Sequence, residues 1–275
     1  MDLSQLIQNA YLEDLPNGDA TCNALELKQA HGQAELVAKE DLILSGKDVV
    51  TDCLAFKAPD TQIFWQFENG DPVLQKQTIA LIEGNLVELI QAERVALNFL
   101  GHLSGIATIT SQFVAECKNT KTQILDTRKT LPGFRALEKQ AVRDGGGTNH
   151  RMNLSDAILI KENHIRMFGG FKPAIEKVKS STELAIEVET TNLDEVKMAV
   201  DLGVSRIMLD NMDNATMEEA LKLIPPHIES EASGNMSVDR IAAVAALGVD
   251  FISVGAITHS APVADISLLF HWEDL

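Results

Sequence analysis

Short apolar runs that end in polar or charged residues recur along the second half of the chain: Thr122–Thr127, Ala157–Lys161, Leu184–Glu189, Arg206–Asp210, Ile228–Ser233 and Phe251–Gly255. Between the later runs lie stretches of helical character at Leu193–Leu202, Ala215–Leu223 and Val238–Leu247. Gly203 and Gly248 stand just past two of them, where a C-terminal glycine cap is expected. The strand ends at positions 189, 210, 233 and 255 fall 21 to 23 residues apart. This β/α repeat predicts parallel strands in a barrel or an open sheet. In barrels, sites gather at the C-terminal ends of strands, where these polar residues fall.

The first hundred residues read differently. Ala34–Ala38 and Leu42–Leu44 resemble strands joined by Lys39-Glu40-Asp41, and Gln62–Phe67 resembles a third, followed by the turn Glu68-Asn69-Gly70-Asp71-Pro72. Leu86, Leu89, Ile90, Leu97 and Leu100 then mark one face of a long helix spanning about 85–103. This predicts a separate α+β domain with its boundary near Gly105. At 275 residues the chain exceeds what one core usually organises, which agrees with a smaller domain beside a barrel-sized one.

Composition narrows the picture. No apolar run approaches the roughly 20 residues that span a bilayer, and the first residues carry no basic region followed by an apolar stretch. Cys22, Cys53 and Cys117 are far apart and lack metal spacing, so they read as thiols of a reducing cytosol. The net charge of −17 argues against nucleic acid and anionic membranes. From Arg128 to Arg166, however, eight Lys/Arg meet four Asp/Glu, so this island is +4 and the rest of the chain −21. A solvated basic helix face and a pocket for a small, multiply anionic ligand both fit that count, and the local sequence has to choose.

Asp126-Thr127-Arg128-Lys129-Thr130 lies directly after a strand and before a helix, with Pro132 and Gly133 in the turn. An anion there can meet both basic side chains and a helix N-terminus. Gly145-Gly146-Gly147 lets the backbone approach a ligand, and His150 and Arg151 follow at once, the latter suited to bidentate recognition of a carboxylate. Lys161 ends a strand read as fully buried, where an ammonium needs a partner or a ligand, while His164 fits a structural role equally well. Glu187 and Glu189 share one strand face, and Asp210 ends the next strand. Glu187 reads best as a structural salt-bridge partner; Glu189 and Asp210 read as ligands for Mg²⁺, a hard cation that prefers oxygen. Ser233-Gly234-Asn235 and Gly255-Ala256 follow late strands, the position of phosphate cradles in barrels.

Taken together these segments resemble the quinolinate phosphoribosyltransferase (carboxylating nicotinate-nucleotide pyrophosphorylase) family. The resemblance rests on the segments just given. It rests also on Leu159–Ile165, Leu209-Asp210-Asn211, Glu231–Gly234 and Ser253–Ala256 and, in the first domain, on Gly18–Thr21, Leu44–Gly46 and Glu93–Asn98. It covers nearly the whole chain in order and departs from the family pattern only at Asn153 and Asn235, neither of which replaces a charged site residue.

The resemblance implies an α/β fold: an N-terminal α/β sandwich domain over 1–105, an incomplete β/α barrel over 106–264, and a tail, 265–275, that returns to the first domain. It implies a cytoplasmic homodimer, or a hexamer, whose sites take residues from both chains. It further implies that quinolinate and phosphoribosyl pyrophosphate react to nicotinate mononucleotide, pyrophosphate and CO₂ with Mg²⁺ and no organic cofactor. Arg94, Arg128, Lys129, His150 and Arg151 would take the two carboxylates of quinolinate. Lys129 and Lys161 would serve the pyrophosphate beside Glu189 and Asp210, and Ser233, Gly234, Asn235, Gly255, Ala256 and His259 would hold phosphate. A molybdenum-utilisation relative of the same fold and a non-catalytic anion-binding barrel remain alternatives, because fold does not fix function.

Overall fold

A computed structural model describes residues 2–27 and 30–271. By internal contacts the described residues form two compact units. One comprises those of Met1–Ile109, Leu131–Gly146 and Ala261–Leu275, the other Thr110–Thr130 and Gly147–Ser260. Of the expected tail 265–275, residues 272–275 lie outside the described residues.

The first unit opens with helices α1 (Leu3–Asp14) and α2 (Ala20–Ala24). The Gly18-Asp19 turn starts α2, because Asp19 Oδ1 accepts the backbone N–H groups of Thr21 and Cys22 at 2.9 and 3.0 Å. Then come β1 (His31–Ala38), β2 (Leu42–Ile43), α3 (Lys47–Lys57), β3 (Gln62–Trp65), β4 (Pro72–Val73), β5 (Thr78–Asn85) and α4 (Leu86–Glu116). β1 and β5 are antiparallel neighbours at the centre of a four-stranded sheet of order β12-β1-β5-β3, where β12 is Ile266–His271. β2 does not join β1; it pairs with β4 in a separate ribbon. The helix expected to end near position 103 continues through Gly105 to Glu116.

Gly105 explains how the segment before β12 passes so close to α4. A Cβ built there falls 1.9 Å from the Pro262 carbonyl oxygen, and one on Gly101 falls 2.9 Å from that of Ala264. Gly101 also accepts the Ala264 N–H at 2.9 Å. Backbone cannot yield as a side-chain tip can. Gly105→Ala should therefore lower unfolding stability by roughly 3 kcal/mol, as overpacking does. Urea denaturation checks this, and a midpoint unchanged from wild type would show that the crossing is not tight.

The second unit is a six-stranded parallel sheet of order β6-β11-β10-β9-β8-β7. Its strands are β6 (Gln123–Leu125), β7 (Ile158–Ile160), β8 (Ile186–Thr190), β9 (Arg206–Asp210), β10 (Glu229–Ser233) and β11 (Phe251–Ser253). β6 and β7 are the two edges, so the β/α barrel is not closed. After β6 the chain gives α5 (Arg135–Asp144) to the first unit. α6 (Glu162–Phe168), α7 (Phe171–Lys179), α8 (Leu193–Asp201), α9 (Asn214–Leu223), α10 (Val238–Ala245) and α11 (Ala256–His259) connect the strands. Asn192 and Asp213 cap α8 and α9 by accepting N–H groups at 3.0 and 2.8 Å. Gly203 and Gly248, both with positive φ, end α8 and α10 as the pattern predicted. Val188, Ile207, Leu209, Ala232 and Ile252 are buried, which is why these strands read as apolar runs. Among the described residues no helix is long and apolar enough to cross a membrane.

Candidate active site

Polar residues at and beyond the C-terminal ends of the second unit's strands line one open cavity of about 700 Å³. It gathers Arg128, Lys129, His150, Arg151, Lys161, Glu189, Asp210, Ser233, Gly234, Asn235, Gly255, Ala256 and His259. Arg94 is not among the lining residues; it belongs to the first unit, on α4, its side chain 64% exposed and 3.8 Å from Glu93.

Asp126 organises the basic wall. It is fully buried at the end of β6 and accepts the Asn149 side-chain N–H at 2.6 Å and the His150 backbone N–H at 2.8 Å. Two segments far apart in sequence are thereby fixed to one strand end. Lys129 is set in place through its backbone. Its N–H donates to Thr127 Oγ1 at 3.0 Å, and its carbonyl accepts the Thr258 hydroxyl at 2.8 Å. Arg151 donates from Nη1 to the Ala157 carbonyl at 2.8 Å. Burial and the neighbouring Arg128 charge together hold the Arg151 guanidinium below its ordinary pKa, while Glu187 and Asp156 oppose them. Two guanidiniums that repel one another in a half-buried wall call for a multiply anionic ligand. Gly145, Gly146 and Gly147 are not among the lining residues; Gly145 and Gly146 terminate α5.

The acidic residues occupy two levels. Nearer solvent, Glu189 lies 3.3 Å from Lys161 Nζ, and Asp210 Oδ2 accepts the Asn211 side-chain N–H at 2.7 Å. Lys161 is half exposed just past β7, not buried as its strand suggested. Its backbone N–H donates to His164 Nδ1 at 3.0 Å, which gives that histidine a structural task. Deeper, His150 Nε2 approaches Glu187 Oε2 at 3.1 Å and Glu231 Oε2 at 3.5 Å, and Arg206 Nη1 donates to Glu231 Oε2 at 3.2 Å. Arg206 stacks on the Phe251 ring at 4.1 Å and also holds Glu229. In the sequence, Glu231 served only within the Glu231–Gly234 segment and Arg206 only as the start of a strand, and neither was named as a site residue. The signal was there: Glu229, Glu231 and Ser233 alternate along β10, so a polar row faces one side of a buried strand.

The opposite wall is backbone. Gly234 has φ +94°, and a Cβ there would fall 2.2 Å from Asn211 Oδ1, so only glycine fits between the two loops. Arg240 ties those loops by donating to the Gly234 carbonyl at 3.1 Å and the Met212 carbonyl at 2.7 Å.

Residues 106–269 match the model of the quinolinate phosphoribosyl transferase C-terminal domain and residues 19–104 that of its N-terminal domain. A probable carboxylating nicotinate-nucleotide pyrophosphorylase of Synechocystis sp. is 42% identical over 267 residues, 95% of this chain and 90% of that protein. The solved nicotinate-nucleotide pyrophosphorylase of Francisella tularensis superposes with a TM-score of 0.92 at 38% identity, covering 98% of this chain and 96% of the other. That of Ehrlichia chaffeensis gives 0.94 at 34% identity, covering 98% and 99%.

Proposed function

Since the chain belongs to the quinolinate phosphoribosyltransferase family, we propose a division of labour for its cavity in the family's reaction. The enzyme transfers phosphoribose from phosphoribosyl pyrophosphate to quinolinate and releases pyrophosphate and CO₂, giving nicotinate mononucleotide. The observation that carries the reading is the mutually repelling Arg128–Arg151 wall. A dianion relieves the repulsion, and quinolinate bears its two carboxylates on adjacent ring carbons. Lys129 and His150 complete that side of the cavity.

Phosphoribosyl pyrophosphate then lies toward Lys161, Glu189 and Asp210, with its phosphate along Ser233–Asn235 and Gly255–Ala256, near His259. The exposed carboxylate oxygens of Glu189 and Asp210 suit Mg²⁺, which keeps several waters and favours substrate phosphate over an all-protein cage. When bound, the ion offsets charge building on the departing pyrophosphate. The protein's part is orientation and charge placement: the ring nitrogen attacks the anomeric carbon as an oxocarbenium-like centre develops beside the carboxylates. No organic cofactor is required. Three buried free thiols suit a reducing cytoplasm, and the unit of function is a homodimer, or a hexamer, with sites shared between chains. The passive anion-binding alternative explains less, since it has no need for Glu189 and Asp210 in the cavity, and the family models and relatives favour the phosphoribosyltransferase over the molybdenum-utilisation relative.

The test is quinolinate-dependent CO₂ release by the purified chain. Release should require both phosphoribosyl pyrophosphate and a divalent cation, and excess chelator should reduce it to background. Release without phosphoribosyl pyrophosphate would sink the reading. Full turnover in chelator would remove the metal from it.

A further inference from the structure

Two turns of the cavity, one after β9 and one after β10, are held from behind by a single side chain. Arg240 donates from Nη1 to the Gly234 carbonyl at 3.1 Å and from Nη2 to the Met212 carbonyl at 2.7 Å, and it is not itself among the lining residues. It is the third residue of α10, in a first turn where the helix dipole disfavours a cation. Its charge therefore does not serve α10. Two acceptors on separate turns need two donors in a fixed fork, which a guanidinium has and an ammonium lacks.

The backbone of these turns is left-handed at Asn211, Gly234 and Asn235, with φ of +54°, +94° and +50°. Such residues persist only where their surroundings over-determine them. The Asn211 N–H donates to the Ser233 carbonyl at 2.9 Å, and Asp210 is fixed separately by accepting the Asn211 side-chain N–H. What Arg240 adds is a direction. Among the described residues every peptide bond is trans, so the carbonyl and the N–H of one peptide unit point opposite ways. With the Gly234 carbonyl turned to Arg240, the N–H of Asn235 is turned away from it, toward the cavity that Gly234 and Asn235 line.

We propose that Arg240 is a positioning residue for phosphoribosyl pyrophosphate: it holds the Gly234–Asn235 peptide with its N–H aimed at the sugar phosphate. The proposal rests on the reading of Ser233–Asn235 as a phosphate-binding turn of the cavity. An N–H set in advance binds an anion without reorganising on its arrival. Without the fork the peptide can flip, and a carbonyl oxygen then meets the phosphate in place of the N–H. Quinolinate, on the Arg128–Arg151 side, gains nothing from Arg240. The effect is therefore specific to one of the two anionic substrates.

The experiment compares wild type, Arg240→Met and Arg240→Lys as full chains with Mg²⁺. It reads kcat, the KM for phosphoribosyl pyrophosphate, inhibition by ribose 5-phosphate, and the Kd of quinolinate alone by calorimetry. Methionine approximates the aliphatic stem and removes the donors. Arg240→Met should raise the KM for phosphoribosyl pyrophosphate roughly tenfold or more, the scale of one hydrogen bond to a charged group, and weaken ribose 5-phosphate by a similar factor. Its kcat at saturation and its quinolinate Kd should stay within about threefold of wild type, as when binding is lost equally from ground and transition states. Arg240→Lys keeps the charge without the fork and should recover part of the loss. An unchanged KM for phosphoribosyl pyrophosphate, unchanged inhibition by ribose 5-phosphate, or an equal loss for both substrates overturns the proposal. If the methionine variant does not fold, the lysine variant decides: an unchanged KM overturns the proposal. A wild type that releases no CO₂ from quinolinate and phosphoribosyl pyrophosphate defeats the functional reading, and the proposal with it.

Discussion

Arg151→Ala should fold normally and bind quinolinate roughly 30-fold to several thousand-fold more weakly. This corresponds to about 2–5 kcal/mol for removing one partner of a buried, hydrogen-bonded charge pair. The side chain is partly buried, and burial and Arg128 outweigh the support of Glu187 and Asp156, so a bound anion adds to what the protein itself supplies. Its guanidinium donates to the Ala157 carbonyl, which stabilises the loop that follows; thermal unfolding of the variant separates loss of that contact from loss of the ligand. Arg151→Lys sharpens the test. It keeps the charge but loses the planar fork, so affinity should recover only in part. Calorimetric titration with quinolinate alone reads the effect without turnover. Near-normal affinity in a folded Arg151→Ala protein would take this residue out of the site.

Mixing two inactive proteins should restore activity. Arg94→Ala and Arg128→Ala should each be almost inactive alone. Arg94 is exposed on α4, 3.8 Å from Glu93, while Val95, Ala96 and Leu97 beside it are buried. An arginine that reaches outward from so apolar a stretch serves something beyond its own helix. If that is the cavity of a second chain, a dimer of one variant with the other has one site carrying both defects and one carrying none. Random re-pairing after joint unfolding then restores about a quarter of wild-type sites. If every site were built within one chain, each would keep a defect and nothing would return. Mixed dimers demonstrated by differential tagging, without recovered CO₂ release, would refute the shared site.

The sequence showed the parallel sheet because short apolar runs that end in polar residues recur at regular spacing, as at Ile158–Ile160 and Arg206–Asp210, and Gly203 and Gly248 mark the ends of two intervening helices. β5 was not legible. Thr78–Asn85 passes straight into α4 with no turn between, so strand and helix periodicities merge. The pairing of β1 with β12 was hidden for another reason: nothing local to either segment encodes a partner so distant in the chain. In the cavity, the outer residues could be read because Arg, Lys and Gly clusters are unusual beside strands. The buried level was harder. A glutamate inside a strand looks like an ordinary surface residue until its neighbours are known, and Glu231 acquires meaning only when β8, β9 and His150 are brought against it.

The antiparallel ladder from Gln33 to Ala38 against Ile266 to His271 also imposes an order on birth at the ribosome. β1 emerges early and can find β5 soon afterwards, but its other edge has to wait until β12 has been translated. At the roughly 5–20 residues per second of protein synthesis, that edge stays open for on the order of ten seconds or more. Open edges recruit stray strands. During that interval the second unit, whose strands are all contributed by the intervening segments, can condense first. Maturation is therefore last-in, last-sealed: the half of the protein that appears first is the half that is finished last.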